Sequence, residues 1–273
     1  MPLALIDHPS YSAAMPHFAR LLWITLLVLL SAGAHAERLR IVSDDWAPYI
    51  HLQAGQPTGV HQRLATEVFR RLGIEVDWQF MPWRRCLAMV QQGQADGVLD
   101  ALRTPEREHY LIYAPEPLSQ VEFVLFQSRA RPHPAHRLED LAGLLIGTSP
   151  DYDYGQAFNT STLFRRETAQ THEANFGKLL LGRIDLLVTD RRVGHYLVQQ
   201  MGIADSVEML PLLIRRRPQY LALGVRPGAE RLAQRFAEEL QRLRQEPGFQ
   251  AFELPEYVSA LPDAIEQQES GTP

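Results

Sequence analysis

The sequence has almost no cysteine: Cys86 is the only one among 273 residues. One cysteine cannot form an internal disulfide, so the folded chain must be held together by its hydrophobic core. Cys86 falls on the same face of a predicted helix as Trp83 and Val90, and we therefore expect a buried structural thiol. With 45% hydrophobic and 22% charged residues, the composition is typical of a globular protein.

An excess of basic charge is also lacking. The formal net charge is −5, whereas binding to nucleic acid phosphates normally needs a basic protein face. Nucleic acid is therefore not an expected partner.

Familiar catalytic motifs are missing as well. The sequence contains no G-x-S-x-G, no H-E-x-x-H and no phosphate-binding loop. His133 and His136 have the look of a metal-ligand pair, but they lie in a proline-broken stretch without a third ligand nearby, which favours a solvated linker. The sequence thus predicts neither a metal site nor a cofactor.

No hydrophobic run is long enough to span a membrane, which takes roughly 20 apolar residues. The longest, residues 21–30, follows Arg20 and precedes Ala34-His35-Ala36, the small-x-small pattern of a secretory cleavage site. We expect residues 1–36 to be a signal peptide that is cleaved after Ala36. The next residue is Glu37, where a simple lipid anchor would need cysteine. We therefore expect a protein of the periplasm without a lipid anchor. We also expect it to be a monomer.

The first half of the remaining chain alternates strand and helix patterns. Ile74 to Phe80 alternates apolar and polar residues like a half-buried strand, and a helix beginning near Val60 has apolar residues at four-residue spacing. A second helix begins at Pro82 and ends at Gly93. This order predicts a parallel sheet with right-handed crossovers.

The same rhythm restarts after a polar, proline-bearing stretch, residues 128–137. Buried strands are predicted at 144–146 and 184–188, and strands near 121–126 and 220–225 are candidates for the links between the two α/β units. Arg215-Arg216-Arg217 is interpreted as a solvated charge run. The predicted fold class is therefore α/β, with two mostly parallel sheets flanked by helices and joined by a two-strand hinge.

The stretch from Gly93 to Arg107 is the strongest candidate for a functional site. A short buried strand around Val98 and Leu99 runs into the polar turn 103–107, which opens a helix. In open α/β sheets ligands bind outside the carboxyl ends of the strands, and a guanidinium there can hold a carboxylate by two parallel hydrogen bonds. Arg107 is either this anchor or an ordinary exposed arginine in a first helical turn.

Two aromatic residues lie beside Pro48 in the loop after the first strand. Trp46 and Tyr49 are either a ligand-facing platform or a hydrophobic plug under the loop. The residues alone leave both interpretations open.

Taken in order, these pieces resemble the extracellular solute-binding proteins of family 3, the amino-acid-type periplasmic binding proteins of ABC importers. No piece is diagnostic by itself, and the ordered set carries the resemblance over nearly the whole mature chain. The pieces are Pro48-Tyr49, Gly59, Pro82-Trp83-Arg84-Arg85, Gly93-x-x-Asp96, Thr104-Pro105-Glu106-Arg107, Leu141-x-Gly143, Gly182-Arg183-Ile184-Asp185, Asp190 and Tyr220-x-x-x-Gly224-Val225-Arg226.

The resemblance implies a type II periplasmic-binding fold with two lobes and a hinge. Lobe one would comprise residues 37–124 and 219–262, lobe two residues 125–218, and residues 263–273 would form a flexible tail. The ligand, an amino acid or a related carboxylate, would lie between the lobes and be delivered to the membrane subunits of an ABC importer.

The resemblance also implies roles for individual residues. Arg107, in the Thr-x-x-Arg turn, would hold the ligand α-carboxylate, and Asp190 would hold the α-ammonium. Thr104, which begins that turn, would also contact the ligand. The walls of the site would come from five further residues, three in lobe one and two in lobe two: Trp46, Tyr49, Trp83, Thr148 and Tyr152.

Departures from the family pattern leave the ligand open. The chain is one residue shorter than usual between Asp96 and Arg107, and Arg103 stands where a small hydroxyl residue is expected. Arg103 and Arg85 either face the cleft, which would favour a more anionic ligand, or point outward.

Two other functions use the same fold. An enzyme of the cyclic carboxylic acid dehydratase type would keep the arginine and add an acid to the cleft, for which Glu106, Asp100 and Glu173 are candidates. A sensor would hand its closed form to a receptor instead of an importer.

Overall fold

A computed structural model describes residues 37–252 of the chain. The predicted signal peptide with its cleavage site and the predicted tail at 263–273 lie outside the described residues. In chain order the elements are β1 (Glu37–Ser43), β2 (His51–Gln53), β3 (Gln56–Thr58), α1 (Val60–Arg71), β4 (Ile74–Phe80), α2 (Trp83–Gln91), β5 (Gly97–Leu102), α3 (Pro105–Glu108), β6 (Leu111–Tyr113), β7 (Ser119–Ser128), β8 (Leu145–Thr148), α4 (Gln156–Thr160), β9 (Arg165–Thr168), α5 (His172–Leu180), β10 (Leu186–Asp190), α6 (Arg191–Gln200), β11 (Val207–Gly224) and α7 (Ala229–Arg244), with 3₁₀ turns at Leu138–Leu141 and Phe249–Phe252.

The strands form a mixed sheet with helices packed on it, as the α/β prediction requires. Its order is β4-β1-β5-β11-β7-β10-β8-β9, with β6 paired to β11, and β2 and β3 form a separate hairpin. We call β4, β1 and β5 the first strand group, and β10, β8 and β9 the second. Pairing is parallel between β1 and β5 and between β8, β9 and β10, as the strand and helix alternation predicts.

Two long strands join the groups. β7 and β11 pair antiparallel with each other, while β11 also pairs with β5 and β7 also pairs with β10. The two predicted sheets are therefore continuous through these connecting strands. Both were expected as strands, but β11 begins at Val207, well before the predicted 220.

The interpretation of Arg215-Arg216-Arg217 as a solvated run was wrong for Arg217, whereas Arg216 is exposed. All three residues lie within β11, where Arg216 is paired with Glu122 of β7 and Arg217 forms an ion pair with Asp153. Only 16% of the Arg217 side chain is exposed. The acidic partners are distant in sequence, so composition alone could not reveal that they compensate the buried charge.

The predicted helix faces are confirmed and cover the first strand group. Val60, Leu64 and Val68 of α1 are buried. The ring of Phe69 on the same helix packs against Phe236 of α7, with centroids 5.0 Å apart. The last described helix thus shares a core with the first.

Gly59 brings the start of α1 against the loop that follows β1. Its φ is +117°, and a Cβ at this position would lie 2.3 Å from the Tyr49 carbonyl oxygen. Only glycine allows this approach without displacing the backbone. The loop after β1 is therefore fixed at its base by the chain just before α1.

The structure also bears on the expected burial of Cys86, on the His133 and His136 pair and on membrane-spanning helices. Cys86 is fully buried, as predicted. Within residues 37–252 no cluster of histidine, cysteine and acidic side chains could bind a metal ion, and His133 lies 3.6 Å from Asp185. No helix in this range has the length and apolarity needed to cross a bilayer.

Candidate functional site

The carboxyl ends of the two strand groups face a common small cavity of about 20 Å³. The loop after β1 and the turn after β5 border it from the first group, and the segment after β8 borders it from the second. Its lining is a mixture of aromatic and charged side chains: Asp44, Trp46, Trp83, Asp100, Leu102, Arg107, Phe123, Tyr152 and Asp153.

Arg107 is the basic group of this cavity. It lies in α3, the short helix that Pro105 begins after β5, and only 8% of its surface is exposed. Nη1 donates to the carbonyl of Leu102 at 3.0 Å, Nη2 donates to the carbonyl of Asp151 at 3.1 Å, and the guanidinium lies 5.5 Å from the centre of the Trp83 ring. These contacts hold the guanidinium at the cavity, where its charge can attract an anion.

Aromatic rings form much of the wall. Trp46 and Trp83 are buried, and Tyr152 packs edge-on against Trp46 with centroids 6.0 Å apart. The Trp46 Nε1–H group is buried and has no acceptor among the described residues. A ligand with an acceptor atom could satisfy this donor, because buried polar groups are normally paired.

Two carboxyl groups from the first strand group also face the cavity. Tyr152 donates its hydroxyl to Asp44 Oδ2 at 3.0 Å. Asp100 is 4% exposed, and its Oδ1 lies within hydrogen-bond distance of His61 Nδ1, at 2.6 Å. Both acids lie just beyond or within strands of the first group, near the carboxyl ends.

The segment Asp151–Asp153 reaches across the cavity from the second strand group. Besides the contact of Asp151 with Arg107, Arg84 Nε lies 3.2 Å from Asp151 Oδ2, and Tyr152 meets Asp44. The two halves of the molecule therefore touch each other directly over the site. A wider groove of about 890 Å³ continues outward from Arg107, and Thr104 and Arg217 line it.

Two residues expected to contact the ligand, Tyr49 and Asp190, do not line the cavity in this structure. Tyr49 is fully buried, stacks on His61 with centroids 4.7 Å apart and donates its hydroxyl to Asp190 Oδ1 at 3.0 Å. Asp190 caps α6: Oδ1 accepts from the backbone N–H groups of Arg192 and Val193, and Oδ2 accepts from Glu122. Burial raises the pKa of Asp190, opposed by these hydrogen bonds. Its contact with a ligand ammonium stays a prediction.

Thr148 ends β8 and is buried, with its carbonyl accepting from Asn175 at 2.9 Å. It does not line the cavity. The site thus brings together four of the eight predicted residues, Arg107, Trp46, Trp83 and Tyr152, with Thr104 in the adjoining groove.

The structure shows whether Arg103, Arg85 and the three candidate acids lie at the cavity. The Arg103 side chain is exposed and paired with Glu108, and Arg85 is exposed. Neither lines the cavity or the groove. Of the acids considered for a catalytic role, Asp100 lines the cavity, Glu106 lines the groove, and Glu173 is exposed.

Asp44 is a site residue that sequence reasoning missed. The signal was present, because two successive acids, Asp44 and Asp45, directly follow the first strand at its carboxyl end. Nothing in the sequence indicated which of them faces inward. In the structure Asp45 is exposed and Asp44 lines the cavity.

We expect the replacement Asp44→Asn to stabilise the folded protein in alkaline solution. Burial raises the pKa of Asp44 from 3.8 to about 7, so the folded state favours the neutral carboxyl. This contribution to stability is complete below pH 3.8 and is lost as the pH rises to 7. At pH 8 the variant should exceed the wild type by about 2 kcal/mol in free energy of unfolding, discounted from roughly 1.4 kcal/mol per pKa unit because Asp44 is partly exposed.

Urea unfolding at pH 4, 6 and 8 measures this difference. The gain should shrink toward zero at pH 4, and the exposed carboxyl variant Asp205→Asn serves as the control. A constant difference across the pH range would contradict the assignment of the titration to Asp44.

Comparison with known proteins identifies the family. The model of the bacterial extracellular solute-binding proteins, family 3, matches residues 39–253. The chain belongs to this family, which confirms the resemblance drawn from its motifs. Among curated proteins, none matches the sequence closely enough to count as a relative.

Solved structures show the same fold at low sequence identity. A histidine kinase sensor domain with similarity to periplasmic binding proteins matches with a TM-score of 0.70 and 23% identity, over 80% of this chain and 95% of that one. A histidine-bound substrate-binding protein of an ABC uptake transporter from Streptococcus pneumoniae gives 0.70 and 21%, over 82% and 93%. The ancestral amino-acid-binding protein AncCDT-1, a precursor of cyclohexadienyl dehydratase, gives 0.67 and 21%, over 84% and 97%.

Proposed function

We propose that this protein captures a small carboxylate-bearing metabolite, an amino acid or a related carboxylate, and delivers it from the periplasm to the membrane subunits of an ABC importer. The observation that carries the proposal is the buried guanidinium of Arg107 in a cavity walled by Trp46 and Trp83. A guanidinium there can bind a carboxylate with two hydrogen bonds, and the apolar walls strengthen that attraction by excluding water.

Capture works by closure of two lobes, residues 37–124 with 219–262 and residues 125–218. The contacts of Asp151 with Arg107 and of Tyr152 with Asp44 support this, because they join the two sides over the cavity. Open and closed arrangements coexist, and a ligand that touches both sides favours the closed one by its differential affinity.

A thermal-shift screen of the purified protein against amino acids, carboxylates and simple amines tests the function. A ligand at about 100 times its Kd adds roughly 2.7 kcal/mol of stability, which corresponds to about 5 to 10 °C in Tm for a chain of this size. We expect shifts only from compounds with a carboxylate. A panel in which no carboxylate shifts the Tm would refute the proposal.

An enzyme on the same fold is the second candidate, and one observation favours it. Asp44, whose pKa is raised to about 7 by burial, lies in the same cavity as Arg107, and a group with such a pKa suits acid–base catalysis near neutrality. Incubation with cyclic carboxylates, followed by mass spectrometry, separates the two functions. Binding without product supports the binding protein, and product formation supports the enzyme.

The partner in the membrane is tested by gene context. Adjacent genes for a permease and an ATPase support delivery to an importer. An adjacent gene for a sensor kinase supports a receptor partner instead.

A further inference from the structure

The cavity beside Arg107 is too small for the ligand that the site is proposed to bind. Its volume of about 20 Å³ has room for one water molecule, whereas an amino acid or another carboxylate metabolite has several non-hydrogen atoms. The protein itself therefore takes up space at the carboxyl ends of the strands. A ligand has to displace whatever part of the chain fills that space.

Two successive residues after β8, Asp151 and Tyr152, enter the space between the strand groups. The Asp151 carbonyl accepts from Arg107 Nη2 at 3.1 Å, and Tyr152 donates its hydroxyl to Asp44 Oδ2 at 3.0 Å. The Tyr152 ring lies edge-on to Trp46, with centroids 6.0 Å apart. An oxygen atom of the chain thus occupies a donor of the anchor guanidinium, and a tyrosine ring covers part of the aromatic wall.

Contacts on the opposite side attach these residues to the rest of the molecule. The Tyr152 ring packs against Tyr154 and His172, with centroids 6.1 and 5.7 Å away. Asp153, the next residue, forms an ion pair with Arg217 of the connecting strand β11. Because Tyr152 is supported from the second strand group, separation of the two groups would withdraw it from the cavity.

The backbone at Asp151 has an uncommon conformation. Its φ is +61°, in the left-handed region that few residues other than glycine occupy. Such conformations persist where surrounding contacts hold them. The contacts here are the hydrogen bond from Arg107 to the Asp151 carbonyl and the ion pair with Arg84, 3.2 Å from Asp151 Oδ2. A ligand on Arg107 would replace the first of these contacts.

We propose that Asp151–Asp153 is an autoinhibitory segment, which we call the blocking segment: it competes with the ligand for Arg107, and the ligand binds only after displacing it. This inference rests on the proposed function and adds the regulation of the same site. The apparent Kd of such a protein is the intrinsic Kd divided by the fraction of molecules with an unblocked site. Weakening the blocking segment should therefore strengthen binding, whereas removing a ligand contact would weaken it.

The variant Tyr152→Phe tests the blocking segment without any ligand. It keeps the ring beside Trp46 and removes the hydroxyl that Asp44 accepts. Small-angle scattering of the ligand-free variant should give a larger radius of gyration than the wild type, because the open arrangement gains population. Acrylamide should also quench its tryptophan fluorescence more strongly, since Trp46 and Trp83 line the cavity. Tyr152→Ala, which removes the ring as well, should show the larger change in both.

Tyr220→Phe is the matched control. It removes the same hydroxyl group from a tyrosine of β11 that lines neither the cavity nor the groove. Its scattering and quenching should equal those of the wild type. If Tyr152→Phe and Tyr152→Ala also equal the wild type in both measurements, the blocking segment is refuted.

Calorimetry measures the effect on binding. The probes are L-glutamate, L-arginine, L-phenylalanine, L-leucine, glutarate and 3-phenylpropanoate. For the probe that binds most tightly, we expect a Kd about tenfold lower in Tyr152→Phe than in the wild type, and an unchanged Kd in Tyr220→Phe. An unchanged or higher Kd in Tyr152→Phe would overturn the inference, and a higher one would assign the Tyr152 hydroxyl to ligand binding.

The outcomes separate the inference from the proposed function. A probe whose binding is lost in Arg107→Ala but equal in Tyr152→Phe and the wild type would overturn the blocking segment and leave the proposed function standing. Binding by Tyr152→Phe alone would support both. If no probe binds the wild type or Tyr152→Phe, the proposed function fails and the inference fails with it.

Discussion

Replacing Arg107 with alanine is expected to weaken ligand binding by about 2 to 5 kcal/mol, the range for removing one partner of a buried charge pair. The guanidinium is buried, and its donors point at the cavity edge, where Leu102 and Asp151 already accept from it. A bound carboxylate would lose its one cationic partner in the cavity. In affinity this is a loss of roughly 30-fold to several thousandfold.

Calorimetry with the amino acid or carboxylate that gives the largest thermal shift measures the loss. Arg107→Lys should fall between wild type and alanine, since lysine keeps the charge and loses the planar fork of donors. Arg103→Ala is the matched control, because Arg103 lies four residues earlier on an exposed position and pairs with Glu108. Unchanged affinity in a folded Arg107→Ala variant would contradict the anchor role.

The second large effect is on stability: Asp190→Ala should lower the free energy of unfolding by about 2 to 4 kcal/mol. Loss of an aspartate N-cap costs roughly 0.5 to 2 kcal/mol, and each buried donor left unpaired adds about 1 to 3 kcal/mol. Alanine would remove the acceptor for the N–H groups of Arg192, Val193 and Glu122 and for the Tyr49 hydroxyl.

Asp190→Asn separates this structural contribution from a role in binding. Asparagine is as good an N-cap as aspartate, so the variant should lose less than half as much stability as the alanine variant in urea unfolding. A wild-type melting curve for Asp190→Ala would contradict the importance of the cap. Weaker binding of amino acids by a stable Asp190→Asn variant would support its predicted contact with the ligand ammonium.

The sequence indicated which residues line the cavity where the signal was local. Arg107 was placed at the cavity because a buried strand leads directly into its turn, and the carboxyl ends of strands are where ligands bind. Trp83 was predicted at the site from the family resemblance, through the segment Pro82-Trp83-Arg84-Arg85. Both inferences depend on residues close together in the chain.

The failures concern contacts between distant residues. Tyr152 lies 108 residues from Asp44, and His61 lies 39 residues from Asp100. Trp46 and Tyr49 share one loop, yet Trp46 lines the cavity, whereas Tyr49 does not line it and stacks on His61. Spacing in the sequence could not distinguish these two positions.

By itself the sequence determined the α/β class, the strand and helix alternation of residues 74–102, the family and the place of Arg107, because periodicity and turn residues act over a few neighbouring positions. Only the tertiary structure decided that the connecting strands β7 and β11 make one continuous sheet, and that Arg217 is buried against Asp153. It also decided that Asp100 Oδ2 receives no hydrogen bond from residues 37–252. These features depend on strand register and on charges brought together from distant parts of the chain, and neither is encoded by local pattern.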